Sequence, residues 1–537
     1  MNSPSPSARG LPALSQPLRA FVLAAGIITA VRVAGLIASP VDLHFDEAQY
    51  WAWSQTLDWG YFSKPPLIAW AIALTTALFG ESEAAIRLAA PLSHALGAVA
   101  LFALGRRLYG PWAGFWAGTS WLLLPGVALS AAVISTDALM LPLWAWALLM
   151  LFRFLESPGW RTAAALGALI GLGALAKYAM LYFLLCAGLA ALWVPMVRER
   201  FLSRDGFLSR DGAIMGGTAL LVLAPNLLWN ATHDFATMGH TAANANLGGA
   251  LFNLGEMADF VFSQAGVIGP VFFGALGFLL WRAAGGRSAL APTDKILIAF
   301  ILPPLLLITA QALLSRAHAN WAAAAYPAAT VWLVGSLLTG TVFGKRTLLA
   351  ATAVNGTAAL AFWSFTVFPG FADAMGAGGA FKRARGWEAV CAATQARIAS
   401  AAAPYTAVLA DHRALFFALT YYCGPQRTDS PIPPLRMWLL RQDAANHAAM
   451  TAPMRVEDGG RVLIVSMGEG YVALAHEDFE SAAYLGAEVI DLGGGETRWI
   501  GFSEARGFSP APRDDAFEAR IASEPPRPLP PIGSLPP

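Results

Sequence analysis

The chain has 537 residues, of which 56% are hydrophobic and 13% charged, against about 25% charged in soluble domains. With a mean hydropathy of +0.53, no single soluble core accounts for this much apolar surface, and a bilayer is its natural solvent. The net charge of +1 gives no ground for a nucleic-acid or an acidic partner.

In chain order, residues 1–17 are Ser/Pro-rich and are expected to be disordered. The apolar run 18–39 is too long for a signal-peptide core, and it leads into Pro40-Val41-Asp42 with no small-residue cleavage site. It is read as a retained first transmembrane helix. Further apolar runs fall at 84–105, 112–133, 137–155, 161–176, 178–196, 213–230, 264–281, 295–314, 319–338 and 347–368. With the first they predict about eleven transmembrane helices. A shorter run, 66–80, follows two prolines.

The charges decide how 66–80 is read. If it does not span and the N-terminus is cytoplasmic, Arg106/Arg107, Arg153/Arg161, Arg198/Arg200/Arg204/Arg210, Arg282/Arg287/Lys295 and Lys345/Arg346 all fall on the cytoplasmic side, as the positive-inside rule requires. The outer face then receives 42–83, 135–137, Lys177, 230–263, 315–320 and everything after about Phe368. Residues 201–206 are repeated at once as 207–212, a loop duplication with no chemistry assigned. From about Gly370 the composition turns soluble. Tyr405 to Leu409 and Arg461 to Val465 read as buried strands and Arg413 to Tyr422 as a helix, predicting a small extracytoplasmic α/β domain. Cys391 and Cys423 could pair there, while Cys186 lies in an apolar run and reads as inert. The tail from Pro525 is Pro-rich and need not fold. The expected organisation is therefore 1–17, a transmembrane domain 18–368 with a first outer loop 40–83, a soluble domain 369–524, and a tail 525–537.

The residues that could carry chemistry cluster at the outer mouths of the helices. The first outer loop opens with His44-Phe45-Asp46-Glu47-Ala48-Gln49-Tyr50. Two adjacent carboxylates just after a membrane helix are costly unless they face water, a cation or substrate; the bland alternative is a solvated loop. Asp58-Trp59-Gly60-Tyr61-Phe62-Ser63-Lys64-Pro65-Pro66 follows, where Lys64 is held stiffly or simply snorkels. Asp137 follows Ser135-Thr136, and a helix N-cap would explain it. Lys177 stands where positive charge is otherwise scarce, which points to a phosphate partner rather than to snorkelling. Asn230, His233 and His240, and then Arg316, complete the outer set. Two histidines seven residues apart carry little weight for a metal. Walker A, G-x-S-x-G and H-E-x-x-H patterns are missing from the sequence, which removes the common ATPase, esterase and zinc-protease readings.

Asp46-Glu47-x-x-Tyr50, then Gly60-Tyr61-Phe62-x-Lys64-Pro65-Pro66-Leu67, then Ser135-Thr136-Asp137 opening a helix, resemble the GT-C class of membrane glycosyltransferases. The nearest branch is the bacterial one related to protein O-mannosyltransferases and the lipid A aminoarabinose transferases. The Pro225 to His233 stretch, Lys382-Arg383-x-Arg385-Gly386-Trp387 and the C-terminal domain also fit. The resemblance implies an α-helical polytopic enzyme of the bacterial inner membrane with its site facing the periplasm. It would move a sugar from a polyprenyl-phosphate donor to a lipid, glycan or protein acceptor, with inversion. Carried over by position, Asp46 is the catalytic carboxylate and Glu47 supports it. Lys64 and Lys177 contact the donor phosphate, and Tyr50, Tyr61, Asp137, Asn230, His233, His240 and Arg316 line the cavity.

Two departures narrow this. Gln49 stands where the aminoarabinose transferases carry a basic residue, and Ser63 where they carry an acidic one. The second helps a metal site in some relatives, so no metal ligand is assigned and a divalent metal is left open. Neither the sugar nor the acceptor is fixed. The competing classes are a transporter or flippase of a lipid-linked sugar, which would carry mid-membrane charges and inverted repeats, and an acyl- or phosphoethanolamine-type transferase, which would need a nucleophilic Ser/Thr or a His-based site.

Overall fold

A computed structural model describes residues 15–202, 210–243, 252–286, 290–441 and 443–523. The expected disorder of the first residues, most of the 201–212 duplication with Arg204, Arg287, and the Pro-rich tail lie outside the described residues.

Each of the eleven apolar runs lies on helix. Among the described residues, seven helices are long and apolar enough to cross a bilayer: Gln16–Ala38, Glu83–Tyr109, Thr136–Glu156, Arg210–Thr232, Pro292–Leu314, Ala319–Thr339 and Val342–Val367. Trp160–Ala176 and Tyr178–Trp193 are apolar but shorter. Two expected continuous spans are broken. The run 112–133 divides into Pro111–Leu123 and Pro125–Ser130, because Pro125 lacks the N–H that would continue the helix. The run 264–281 divides into Leu254–Ile268 and Pro270–Ala284, bent by 115°. Gly269 adopts φ +93 at the bend, a conformation that suits glycine. The carbonyl of Ile268, freed by the break, accepts from Asn355 Nδ2 at 3.0 Å.

The short helix Leu67–Phe79 is 13 residues long, about 20 Å at 1.5 Å per residue, against about 30 Å of hydrocarbon. Both of its ends meet the helix Phe45–Ser54. Gln49 Nε2 donates to Ser63 Oγ at 3.4 Å just before it, and Trp51 donates to Glu81 just after it. It therefore leaves and returns at one level, with Leu74, Leu78 and Phe79 exposed along it, as an interfacial helix would.

The C-terminal region folds around a five-stranded mixed sheet of order β2-β1-β3-β5-β4. Its strands are β1 (Ala407–Ala410), β2 (Leu435–Met437), β3 (Arg461–Ser466), β4 (Phe479–Gly493) and β5 (Glu496–Phe508). β1 is parallel to both β2 and β3, while β5 is antiparallel to β3 and β4. The expected strands and the helix Arg413–Tyr422 are present. Cys391 and Cys423 are joined by a disulfide with Cα atoms 5.6 Å apart. Cys186 is buried and free.

This sheet domain sits directly on the segment 40–83 that follows the first helix. Tyr422 OH accepts from Leu43 N at 2.7 Å, Asp42 accepts from Trp387 N at 2.7 Å, and Arg427 pairs with Glu83 at 2.6 Å. Loop and domain thus lie on the same face, so an even number of crossings separates them.

Candidate active site

The helix Phe45–Ser54 is started by its own sequence. His44 caps it, with Nδ1 accepting from Asp46 N at 3.2 Å, while Glu47 reaches back to His44 N at 2.8 Å. This reciprocal cap leaves Asp46 in the first turn, where the helix dipole favours a carboxylate. The neighbouring carboxylates then part company. Glu47 is fully buried. Its oxygens accept from Arg87 Nη2 at 2.7 Å, from Arg87 Nε at 3.0 and 3.2 Å, and from Ile134 N at 2.9 Å. It anchors the helix and presents no free oxygen to a substrate. Asp46 keeps 38% of its side chain exposed. Its Oδ1 accepts from Arg413 Nη1 at 2.8 Å. Its Oδ2 accepts no hydrogen bond among the described residues, with His44 Nδ1 standing off at 3.7 Å. Burial lowers the His44 pKa against the pull of Asp46 and Glu47.

The Gly60–Pro66 segment is clamped from three sides. Tyr61 OH donates to the carbonyls of Trp53 (3.0 Å) and Thr56 (3.1 Å), and its ring stacks on Trp53. Thr237 Oγ1 donates to Tyr61 O at 2.6 Å. Asn226 Nδ2 donates to Trp59 O, and Trp229 Nε1 to Asp58 Oδ2, both at 2.7 Å. Gly60 lies flat on Trp229, where a Cβ would collide with the indole. The segment is thereby a rigid mount for Lys64. Lys64 has no ion-pair partner among the described residues. Burial lowers its pKa, and the nearby Lys177 pushes the same way, while Asp46 and Asp137 oppose. A cation held like this gains from an anion brought to it.

Asp137 and Lys177 pair at 2.8 Å, and Asn320 Nδ2 donates to Asp137 at 2.7 Å. Ser135, not Asp137, is the N-cap of helix Thr136–Glu156, its hydroxyl accepting from Ala138 N at 3.3 Å. Asp137 and Asn320 border a cavity of about 510 Å³ whose walls are otherwise mostly apolar, among them Trp121, Val127, Val267 and Tyr326. Tyr50 is buried beside the carboxylates, and burial raises its pKa well above the ordinary value. His240 sits edge-on to Phe62. Burial lowers its pKa, reinforced by Lys64 and Arg413.

The structure thus brings Asp46, Tyr50, Lys64, Asp137, Lys177 and His240 into one neighbourhood. Tyr61 belongs to its scaffold. Asn230 engages its Nδ2 on Tyr178 OH (3.1 Å) and on the carbonyl of Asn226 (2.9 Å), while its buried Oδ1 has no partner among the described residues; His233 stacks against Trp229. Arg316 is exposed and makes none of the contacts around Asp46. Two arginines were not foreseen as site residues. Arg87 was discernible as a lone charge in an apolar run; Arg413 opened a predicted helix and carried no local signal. Among the described residues no group of three or more His, Cys, Asp or Glu side chains is arranged to hold a metal ion.

Residues 63–229 match the family model of dolichyl-phosphate-mannose-protein mannosyltransferases. The chain is 39% identical over 339 residues to the lipid A galacturonosyltransferase RgtD of Rhizobium johnstonii, covering 63% of this chain and 69% of that protein. It belongs to the GT-C membrane glycosyltransferases. The fold agrees with other members of this class. The crystal structure of ArnT from Cupriavidus metallidurans in the apo state superposes with a TM-score of 0.60 at 16% identity, over 91% of this chain and 98% of that one. The undecaprenyl-phosphate-bound form gives 0.57 at 17% identity, over 89% and 97%. The GT-C relatives are transferases, and nothing in them supports the transporter reading.

Proposed function

We propose that this GT-C enzyme moves a sugar from a polyprenyl-phosphate donor to a lipid or glycan acceptor, with Asp46 as general base and inversion at the anomeric carbon. The observation that carries the reading is the carboxylate with one unengaged oxygen, Asp46, beside the lysine without an ion pair, Lys64. Asp46 Oδ2 takes the proton of the acceptor hydroxyl as its oxygen bonds to the anomeric carbon. The bond from that carbon to the donor phosphate breaks, and the phosphate gains charge that Lys64 stabilises more in the transition state than before it. Lys177, held by Asp137, adds positive potential. The cavity beside Asp137 has walls suited to a lipid chain, so the donor enters from the bilayer.

The similarity to RgtD favours lipid A as acceptor and a uronic acid as sugar. The disulfide favours an oxidising, periplasmic face for the site, as does the distribution of Arg and Lys in the loops. In this reading residues 18–368 carry the chemistry and residues 369–524 close over it. The test is purified enzyme in detergent with polyprenyl-phosphate galacturonic acid and a lipid A precursor. Asp46→Asn should fold and lose turnover; full activity in this variant would sink the assignment.

A further inference from the structure

Every group proposed so far to act on substrate lies in the membrane domain or its first loop. The contact nearest to the chemistry nevertheless comes from the C-terminal domain. Arg413 opens the helix Arg413–Tyr422, with two residues between it and the end of β1. Its Nη1 donates at 2.8 Å to Asp46 Oδ1 and at 2.8 Å to Gln49 Oε1. Its guanidinium carbon lies 4.8 Å over the ring of Phe45. Three residues of one short helix therefore hold this side chain from different directions.

We infer that Arg413 is a positioning residue for the sugar-transfer step, fixing the Asp46 carboxylate so that Oδ2 alone is offered to the acceptor hydroxyl. The inference rests on the base role of Asp46 proposed above. Two features support it. Arg413 engages a single oxygen, which sets the plane of the carboxylate without using both acceptors. The charges also favour it: leaving aside any charge on the sugar, Asp46, Asp137 and a donor phosphodiester face Lys64, Lys177 and Arg413. As Asp46 takes the proton it loses its charge while the departing phosphate gains one, so the same cations compensate the site before and after transfer. Gln49, where related transferases carry a basic residue, becomes a bridge to an arginine supplied by the other domain. The soluble domain is thereby part of the catalytic apparatus rather than an acceptor platform alone.

The test uses the full-length enzyme and compares R413A, R413K and R427A; Arg427 is the other interdomain arginine and pairs with Glu83, away from Asp46. Misplacing a reacting group by about 1 Å can cost 100-fold. R413A should therefore lose about 10–100-fold in kcat with donor KM unchanged, and added guanidinium ion should restore part of that loss. R413K should fall between R413A and wild type, and R427A should retain most of its kcat. Wild-type kcat in R413A overturns the inference. So does an equal loss in R413A and R427A without guanidinium rescue, since that is the signature of domain docking alone. Should R413A fail to fold, R413K decides: reduced kcat at unchanged KM supports the role, and wild-type kcat overturns it. An active D46N removes the base reading itself, whereas an inactive D46N beside a fully active R413A removes only this inference.

Discussion

Glu47→Gln separates the two adjacent carboxylates most sharply. Glu47 has no exposed surface and its partner Arg87 is 3% exposed. The substitution removes one charge of a buried pair and leaves the guanidinium without a countercharge, donating only to neutral oxygens such as the carbonyls of Val41 (3.0 Å) and Asp42 (2.6 Å). The new amide NH2 also replaces an oxygen that accepts from a backbone N–H, either that of His44 or that of Ile134. Breaking a buried ion pair from one side costs about 3–5 kcal/mol. The half-exposed Asp46–Arg413 pair is worth at most about 1 kcal/mol to stability. Thermal unfolding in detergent, followed through the 19 tryptophans, should therefore show a clearly lowered midpoint for E47Q and a near-native one for D46N. Well below its midpoint, E47Q should still turn over, whereas D46N should not. A normal midpoint with abolished turnover in E47Q would refute the argument, because the Glu47 carboxylate would then be acting on substrate rather than bracing a helix.

Lys64→Ala removes a charge-assisted contact to the donor phosphate, for which about 1.5–3 kcal/mol is typical. Donor kcat/KM should fall about 10–100-fold with acceptor KM unchanged, and an unaltered donor kcat/KM in steady-state kinetics would count against the phosphate role. His447 packs edge-on against Trp53 and Tyr61, and burial holds its pKa down at about 4. Between that value and the ordinary 6.5 the unfolded chain binds the proton and the folded one does not. Stability contributed at this site is therefore intact above pH 6.5 and lost as pH falls towards 4, by about 2 kcal/mol at pH 5. Unfolding midpoints measured from pH 7.5 to 5 should drop more steeply in the wild type than in His447→Phe; parallel profiles would refute the assignment.

The architecture was legible where a single local rule governs. Apolar length marked the helices, and the two prolines ahead of Leu67 marked the start of the short helix Leu67–Phe79. The helix Arg413–Tyr422 was visible from its apolar pattern. The run 264–281 misled because hydropathy does not register direction: Gly269 and Pro270 are apolar, yet together they turn the chain through 115°. The antiparallel hairpin of β4 and β5 was missed because much of β4 is exposed and gives no buried run. At the site, residue chemistry and order pointed to Asp46, Lys64, Asp137 and Lys177. Chemistry and order alone could not tell Asp46 from Glu47, since both are acidic and adjacent, and only the resemblance put Asp46 first; the physical difference is Arg87, which reaches Glu47 from 40 residues away. The Pro225 to His233 stretch was conspicuous for its polar side chains, but Asn226, Trp229 and Asn230 spend them holding Trp59, Asp58 and Tyr178.

The hydrogen bond between Arg413 and Asp46 spans 367 residues of chain. Ribosomes extend a chain at about 5–20 residues per second, so roughly 20–70 s separate the synthesis of the two partners. Throughout that interval the helix bearing Asp46 exists without its arginine. On the roles proposed for these two residues, the nascent enzyme is slow at sugar transfer by construction until the last third of the protein has been made and has folded onto the rest.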